Sequence, residues 1–524
     1  MLINQLEITN INGSTASTCS NVDLIYQKTG DKNIYEVVID DLMLVKYSQD
    51  IEFINRVRSL PLDKKRLAIL LSMNNDHYSW DKLREKITGN RVSKLEHLKD
   101  LIKMFRDFIK VAEVERKTHG EVMTPMDELA RPMVDLVEKY DSEFWKNPNH
   151  KVLDSSAGIG TFLIICAAKF MNGLKNHPGL EDPEIRFKHI IENCLYYGEL
   201  QSRNAFLWLC AIDPYDEYKT NTYFGSFLDD NFDKHMKDVW RVDKFDLIIQ
   251  NPPYQVQQEG FTKTQPIWNL FVEKSIKILN DNKYMVMIHP NGWRNIDGVF
   301  KKIQNIIKER QLLEIKIFSD VQALKYFGAS IFFDYYILKN KQGEKVKTKI
   351  TTPNDETFFS DINRLEFLPD GNIDDIEKLI AKDGEETVNI IHSFSAYETR
   401  KSFISEKMTD DFIYPCISNV YRSEEPKFVY SSINTRGHFG VPKLVCGMAS
   451  SGTNFFVDRN GDYGLTQFSF AIVDNPELLD DIKTAMKSKD FQKIIQSIPN
   501  NSSAINFKIL KTFKKDFWKN FIKK

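Results

Sequence analysis

Between Lys151 and about residue 340 the chain switches repeatedly between two kinds of apolar segment, and this alternation limits the fold more than any other feature. "KVLDSSAGIG", "CLYYGEL", "FDLIIQ" and "KYMVMIHP" read as strands with their turns. Between them stand "TFLIICAAKF", "RNAFLWLCAI" and "PIWNLFVEKSIKIL", which read as helices. Alternation of this kind predicts an α/β fold with a parallel sheet covered by helices on both faces. Near the end of the stretch, "EIKIFSD" and "ASIFFDYYIL" are expected to pair as an antiparallel edge.

One of these strands ends abruptly. In "DLIIQNPPYQ", residues 246–255, the apolar run meets Asn251, Pro252, Pro253 and Tyr254. Two prolines have no N–H to give to a sheet ladder, so the strand must finish there. An aromatic on a stiff turn at a strand's carboxyl end sits where open α/β sheets bind ligands. The stretch therefore reads as a site.

The flanks are of a different character. With 524 residues the chain has room for about two to four domains. Residues 1–117 form a first unit, with short alternating runs such as "IYEVVID" and then a charged helical stretch whose Lys and Arg read as a solvated face. A second unit spans 118–345. It opens with Thr124-Pro125, a helix start followed by Asp127 and Glu128 near the positive end of the helix. From 346 to 524 the alternation fails and a third unit is expected. There "FFVDRNGDYGL" reads as a hairpin bending at Asn460-Gly461. The basic, aromatic tail "INFKILKTFKKDFWKNFIKK" reads equally as a nucleic-acid contact or as a solvated amphipathic helix.

Charge and cysteine content narrow the classes. A net charge of −2 excludes a globally basic nucleic-acid coat, so contact with a polyanion must use local patches. Cys19, Cys166, Cys194, Cys210, Cys416 and Cys446 form no CxxC pair and have no histidine at zinc spacing. They read as reduced structural thiols, and no metal site is expected. The first residues lack the basic-then-apolar layout of a signal peptide, and "FLIICAA" is far too short to span a bilayer. A cytoplasmic protein without a membrane partner is expected.

In "VLDSSAGIGTFL" a strand ends at Asp154, and a turn with Gly158 and Gly160 leads into a helix. Glycine lets the backbone bend tightly and a ligand approach without a Cβ in its way. Some forty residues on, "CLYYGELQ" ends a strand at Glu199, which is placed to accept the two hydroxyls of a ribose. The glycines are not followed by Lys-Ser/Thr, which argues against a triphosphate, and the dinucleotide fingerprint G-x-G-x-x-G is absent. His119 and His289 each stand alone and read as surface or core residues.

Taken in order, "GEVMTP", "LDSSAGIGTF", "YYGELQ" and "IIQNPPY" resemble the motifs of S-adenosylmethionine-dependent amino-group methyltransferases. The arrangement is similar to that of gamma-order adenine-N6 DNA methyltransferases of restriction-modification systems, and it covers roughly residues 118–340. The resemblance implies a Rossmann-like methyltransferase sheet, an α-rich N-terminal segment and a C-terminal target-recognition domain. It implies that Thr124 and Pro125 hold the methionine end of the cofactor, that Asp154, Gly158 and Gly160 form the turn beneath it, and that Glu199 binds its ribose. In "TYFGSFLDD" the family often has an acid after the glycine; here Ser226 departs from that pattern, and Phe227 is the residue expected to pack on the cofactor's adenine. Ser155-Ser156-Ala157 likewise replaces the commoner Pro-Ala-Cys type. Phe327, in "KYFGAS", stands where such enzymes often sandwich the target base.

The same resemblance gives the NPPY motif its chemistry. An exocyclic adenine amine is a poor nucleophile because its lone pair is delocalised into the ring. Acceptors on the Asn251 side chain and the Pro252 carbonyl would favour a pyramidal nitrogen and aim its lone pair at the sulfonium methyl. Pro253 helps lock them in place, and Tyr254 offers a ring on which a flipped-out base stacks. The expected activity is site-specific adenine methylation of double-stranded DNA, in restriction-modification or in DNA protection by a phage or its host, alongside a cognate restriction or specificity subunit. Glutamine methylation of a protein, RNA methylation and an inactive DNA-binding or assembly subunit stand as the rival readings.

Overall fold

A computed structural model of the protein describes residues 124–200, 204, 208, 212, 218–257, 264–296, 298–420, 425–448, 454–499 and 506–522. The expected first unit, His119, Cys19, Cys210 and most of the helix expected at 203–212 lie outside these residues.

The alternating segment folds as expected around one large sheet. Its strands are β1 (Val152–Asp154), β2 (Leu195–Glu199), β3 (Asn221–Phe224), β4 (Phe245–Gln250), β7 (Leu279–Pro290), β8 (Arg310–Phe318), β9 (Phe333–Gln342), β10 (Thr348–Thr351) and β11 (Thr357–Ser360), with β5 (Gln255–Gln257) and β6 (Thr264–Pro266) forming a separate two-stranded ribbon. The nine strands lie in the order β11-β10-β8-β9-β7-β4-β1-β2-β3. From β3 across to β7 every neighbouring pair is parallel. The pairing of residues 310–318 with 333–342 is antiparallel, as the sequence suggests. It does not form the edge, however. β9 lies between β8 and β7, and two further strands, β10 and β11, extend the sheet beyond residue 345.

The apolar runs alternate between two cores. Leu247 and Ile249 of β4, with Tyr284, Val286 and Ile288 of β7, face one cluster, while Ile248, Met285 and Met287 face the other. Period-two alternation within an uninterrupted apolar run is what a doubly covered strand requires. Helices α1 (Arg131–Tyr140) and α2 (Thr161–Gly173) cover the first face. α2 buries Phe162, Leu163, Ile164, Ile165, Cys166, Ala167 and Phe170, so it is enclosed on nearly every side, as an all-apolar helix must be. The second face is covered by α3 (Trp268–Lys277) and α4 (Lys301–Lys308).

That second core continues into the C-terminal region, through Ile362, Phe367, Ile376, Leu444, Phe470, Phe491 and Phe513. The region carries two four-stranded sheets. One contains β12 (Ile390–Ile391), β19 (Ser469–Val473), β16 (Lys443–Gly447) and β17 (Phe455–Asp458). The other contains β13 (Ile404–Ser405), β15 (Lys427–Ser431), β14 (Tyr414–Asn419) and β18 (Gly464–Leu465). The hairpin expected around Asn460-Gly461 does not form. β17 pairs with β16, whereas β18 pairs with β14 in the other sheet. The turn is shaped by Asp458, whose carboxylate accepts the amides of Asp462 and Tyr463 and pairs with the buried Lys443 at 2.5 Å.

The C-terminal region is riveted to the sheet by Arg294, which is fully buried. Its guanidinium bonds Asp334 of β9 at 3.0 Å, Asp370 at 2.5 Å and the Leu368 carbonyl at 3.2 Å. Among the described residues, Cys166, Cys194, Cys416 and Cys446 are buried free thiols, and no helix is long and apolar enough to cross a membrane.

Candidate active site

The sheet order reverses at β1. Successive strands run outward one way through β2 and β3, and the other way through β4 and β7. Open α/β sheets bind ligands beyond the carboxyl ends of the strands at such a switch point. Here those ends carry Asp154 of β1, Glu199 of β2 and the Asn251–Tyr254 turn that follows β4. Three motifs far apart in sequence therefore share one end of the sheet.

The glycine turn is held by its neighbours. Gly158 donates its N–H to the Glu199 carboxylate at 2.8 Å and accepts the Tyr197 hydroxyl on its carbonyl at 2.5 Å. It has a φ of +53°, and a Cβ there would point into open space. Gly160 has a φ of +85°, and a Cβ there would collide with the Trp208 indole. The two glycines thus serve different needs: one keeps space open, the other admits close packing. The Gly160 carbonyl accepts the N–H of Ile164 as α2 begins.

Asp154 is fully buried. One oxygen accepts the Ser156 N–H at 3.2 Å, and the other has no hydrogen-bond partner among the described residues. Burial pushes its carboxyl well above the usual carboxylate range, and the nearby Glu199 charge adds to that.

The Asn251–Tyr254 turn is tied at both ends. Asn251 Nδ2 donates to Thr124 Oγ1 at 3.0 Å, joining residues 127 positions apart. The Ser156 hydroxyl donates to the Asn251 carbonyl at 3.1 Å. At the far end the Tyr254 carbonyl accepts the Ile267 N–H at 3.2 Å, closing the base of the β5–β6 ribbon. Pro252 is buried and Pro253 half-buried. Pro125 starts the helical turn Met126–Ala130, its carbonyl accepting the amides of Leu129 and Ala130.

Tyr254 is only 9% exposed and packs in the second core cluster. Its hydroxyl is buried without a partner among the described residues, and burial raises its pKa. Phe227 lies in the same cluster at 2% exposure, with Phe232 and Phe271 ring centroids at 4.8 and 5.2 Å. As it stands, the ring is packed on other phenylalanines and offers little surface to a ligand. Ser226 opens the turn before the helix Asp230–Asp238, its hydroxyl accepting the Leu228 N–H.

Phe327 is buried in the core. It ends the helix that follows β8 and packs on Phe333 at 5.0 Å in the first core cluster, whereas Tyr254 belongs to the second. His289 proves to be a core residue. It is fully buried, stacks on Trp268 at 4.2 Å and bonds the Tyr336 hydroxyl at 2.9 Å, and burial lowers its pKa to about 4.

The sequence reading passed over one polar group. Gln250, wholly buried at the end of β4, accepts the Ser155 hydroxyl and donates to Ser275 of α3 at 2.7 Å. A glutamine closing the apolar run Leu247–Ile249, in a chain whose glycine turn carries two serines, was the signal available.

The family described as Eco57I restriction-modification methylase matches residues 186–323. A protein of Mycoplasma pneumoniae named "Uncharacterized adenine-specific methylase" is 24% identical over 299 residues, which are 44% of this chain and 69% of that protein. Among solved structures, the type IIL restriction-modification enzyme MmeI, determined in complex with DNA, superposes with a TM-score of 0.51 at 10% identity, covering 90% of this chain and 85% of that one. A modification subunit of a type I restriction enzyme from Vibrio vulnificus is 17% identical with a TM-score of 0.39, covering 55% of this chain and 60% of that one, less than two thirds of its length. Residues 186–323 thus match a restriction-modification methylase family, and the chain shares its fold with a restriction-modification enzyme.

Proposed function

We propose that this chain transfers the methyl group of S-adenosylmethionine to the N6 amine of a specific adenine in double-stranded DNA. The observation that carries the reading is the contact between Asn251 and Thr124 at the switch point of the sheet, beside the Asp154–Glu199 turn. In this reading Nδ2 is tied to Thr124 and Oδ1 is the amide atom that meets the amine.

The residues present fit the cofactor. A sulfonium is a cation and a ribose carries two hydroxyl donors. Asp154 and Glu199 offer buried oxygen acceptors, one Asp154 oxygen being without a partner among the described residues. Gly158 leaves open the space that a side chain would occupy. In this reading Glu199 takes the ribose, the Asp154–Gly160 turn lies beneath the cofactor, and Thr124 and Pro125 hold its methionine end. When bound, S-adenosylmethionine supplies an electrophilic methyl group on sulfur.

The chain's own residues then act on the amine. Asn251 Oδ1 and the Pro252 carbonyl accept hydrogen bonds from its two N–H groups and orient its lone pair. Such fixed acceptors act through electrostatic preorganisation, and removing one comparable group costs about 10²–10³-fold in rate. No strong base is needed, because the proton becomes acidic only as the methyl arrives. Reaching the amine in a duplex requires the adenine to leave the stack, at a cost of a few kcal/mol. Stacking on Tyr254, about 1–3 kcal/mol per base, would offset much of this. Since Tyr254 is buried here, base entry in this reading includes its exposure. A restriction-modification setting implies a cognate nuclease or specificity subunit as partner.

The test is label transfer from tritiated cofactor to DNA, RNA and protein in parallel. Label in DNA supports the reading. Label in protein or RNA alone replaces it with one of the other methyl acceptors, and binding without transfer to any of them points to an inactive subunit.

A further inference from the structure

β1 and β4 pair in parallel with a fixed offset of 95 residues, Val152 opposite Leu247 and Leu153 opposite Ile248. Backbone pairing cannot continue far beyond Gln250, because Pro252 and Pro253 have no N–H to give. Yet the same offset recurs twice more. The Ser155 hydroxyl bonds the Gln250 side chain, and the Ser156 hydroxyl donates to the Asn251 carbonyl, each pair again 95 residues apart. Two serine side chains thus prolong the ladder by two rungs where the backbone can no longer supply them.

We infer that Ser155, Ser156 and Gln250 are positioning residues that lock the cofactor turn and the NPPY turn into one register. The inference rests on the methyltransferase reading above. Each bond has a definite mechanical consequence. Gln250 and Ser275 are completely buried, and the Gln250 amide is held at both ends, its oxygen by Ser155 and its nitrogen by Ser275. A buried amide satisfied in this way adopts one orientation, and its release leaves polar atoms without solvent. The Ser156 bond holds the peptide plane between Asn251 and Pro252. The Asn251 side chain springs from one end of that plane, and the Pro252 carbonyl follows the other. Rotation of the plane would move both acceptors together, while Glu199, Gly158 and Asp154 would stay where they are. The latch therefore governs the rate of transfer and not the affinity for cofactor. It also gives the Ser155-Ser156 departure from Pro-Ala-Cys a use, since neither proline nor alanine has a hydroxyl to donate.

The test uses the full chain as wild type, Ser156→Ala, Ser156→Thr and Gln250→Glu, with unmodified amplified bacterial genomic DNA and S-adenosylhomocysteine as probes. In Ser156→Ala the transfer rate at saturating cofactor is expected to fall about tenfold, with affinity for S-adenosylhomocysteine changed by less than about threefold. Ser156→Thr, which keeps the hydroxyl, should recover most of the rate. Gln250→Glu loses the donor to Ser275 and should behave as Ser156→Ala does. Hydrogen–deuterium exchange supplies a readout that needs no turnover. In wild type S-adenosylhomocysteine should slow exchange across both 152–160 and 246–257; in Ser156→Ala it should slow only the first. If the wild type methylates DNA, yet Ser156→Ala keeps its rate and its coupled exchange, the latch is wrong and the proposed function stands. If the wild type labels no DNA, the proposed function falls, and exchange decides the latch: protection of both segments in Ser156→Ala overturns it, and protection of the first alone supports it.

Discussion

Asn251 Nδ2 donates to Thr124 Oγ1 at 3.0 Å, joining a residue at the end of a central strand to one that precedes the first described helix. The contact makes the orientation of the Asn251 amide depend on a segment outside the sheet. Thr124→Val keeps the shape but not the acceptor and should lower the transfer rate about tenfold, the kinetic equivalent of one ordinary hydrogen bond. Serine at the same position should restore it. Single-turnover transfer at saturating cofactor checks both.

Glu199 is buried and accepts the Gly158 N–H, so its removal loosens the glycine turn and, on the proposed function, deletes the ribose acceptor. A hydrogen bond to a charged group contributes about 1.5–3 kcal/mol, so Glu199→Ala should weaken S-adenosylhomocysteine binding roughly 10- to 100-fold. Titration calorimetry measures this, and unchanged affinity would remove Glu199 from the cofactor site.

Much of this arrangement is legible in the sequence, and what is not has physical reasons. The strands at Val152–Asp154, Leu195–Glu199 and Phe245–Gln250 are visible because buried strands are short apolar runs, and their tips are visible because glycine, acid and proline interrupt them. The position of β9 is not, because an antiparallel partner reads alike at an edge or inside a sheet. Asn460-Gly461 marks a turn correctly, but a turn does not say which sheet each arm joins. Phe327 is aromatic and follows β8, yet side-chain direction depends on the helix it ends, and that helix buries it against Phe333. The Ser155–Gln250 contact needs the strand register, which no single segment contains.

Arg294 bonds Asp334, Asp370 and the Leu368 carbonyl at the junction with the C-terminal region. Arg294→Met would leave the buried Asp334 without its counter-charge, and breaking a buried pair from one side costs about 3–5 kcal/mol. Urea unfolding should show a loss of that size. Asp334→Asn in the same chain should return part of it, since a neutral amide needs no counter-charge.

His289 is held neutral by burial, its pKa lowered to about 4 from an ordinary 6.5. An unfolded chain binds a proton there between these values and the folded chain does not, so stability falls as pH drops through this window. The contribution of the group is fully present above pH 6.5 and declines at about 1.4 kcal/mol per pH unit toward pH 4. His289→Asn should remove that slope from urea-unfolding free energies measured between pH 6.5 and 4. An unchanged slope would mean that other groups set the acid sensitivity.

The most direct measurement of the central claim is nucleoside mass spectrometry. Unmodified amplified genomic DNA is incubated with S-adenosylmethionine and either wild type or Asn251→Ala, then digested to nucleosides. The account predicts N6-methyldeoxyadenosine with the wild type and about 10²–10³-fold less with Asn251→Ala, while both proteins bind S-adenosylhomocysteine within a few-fold of each other. Equal yields of methylated adenine from the two proteins, or a methyl group found only on cytosine, would contradict it.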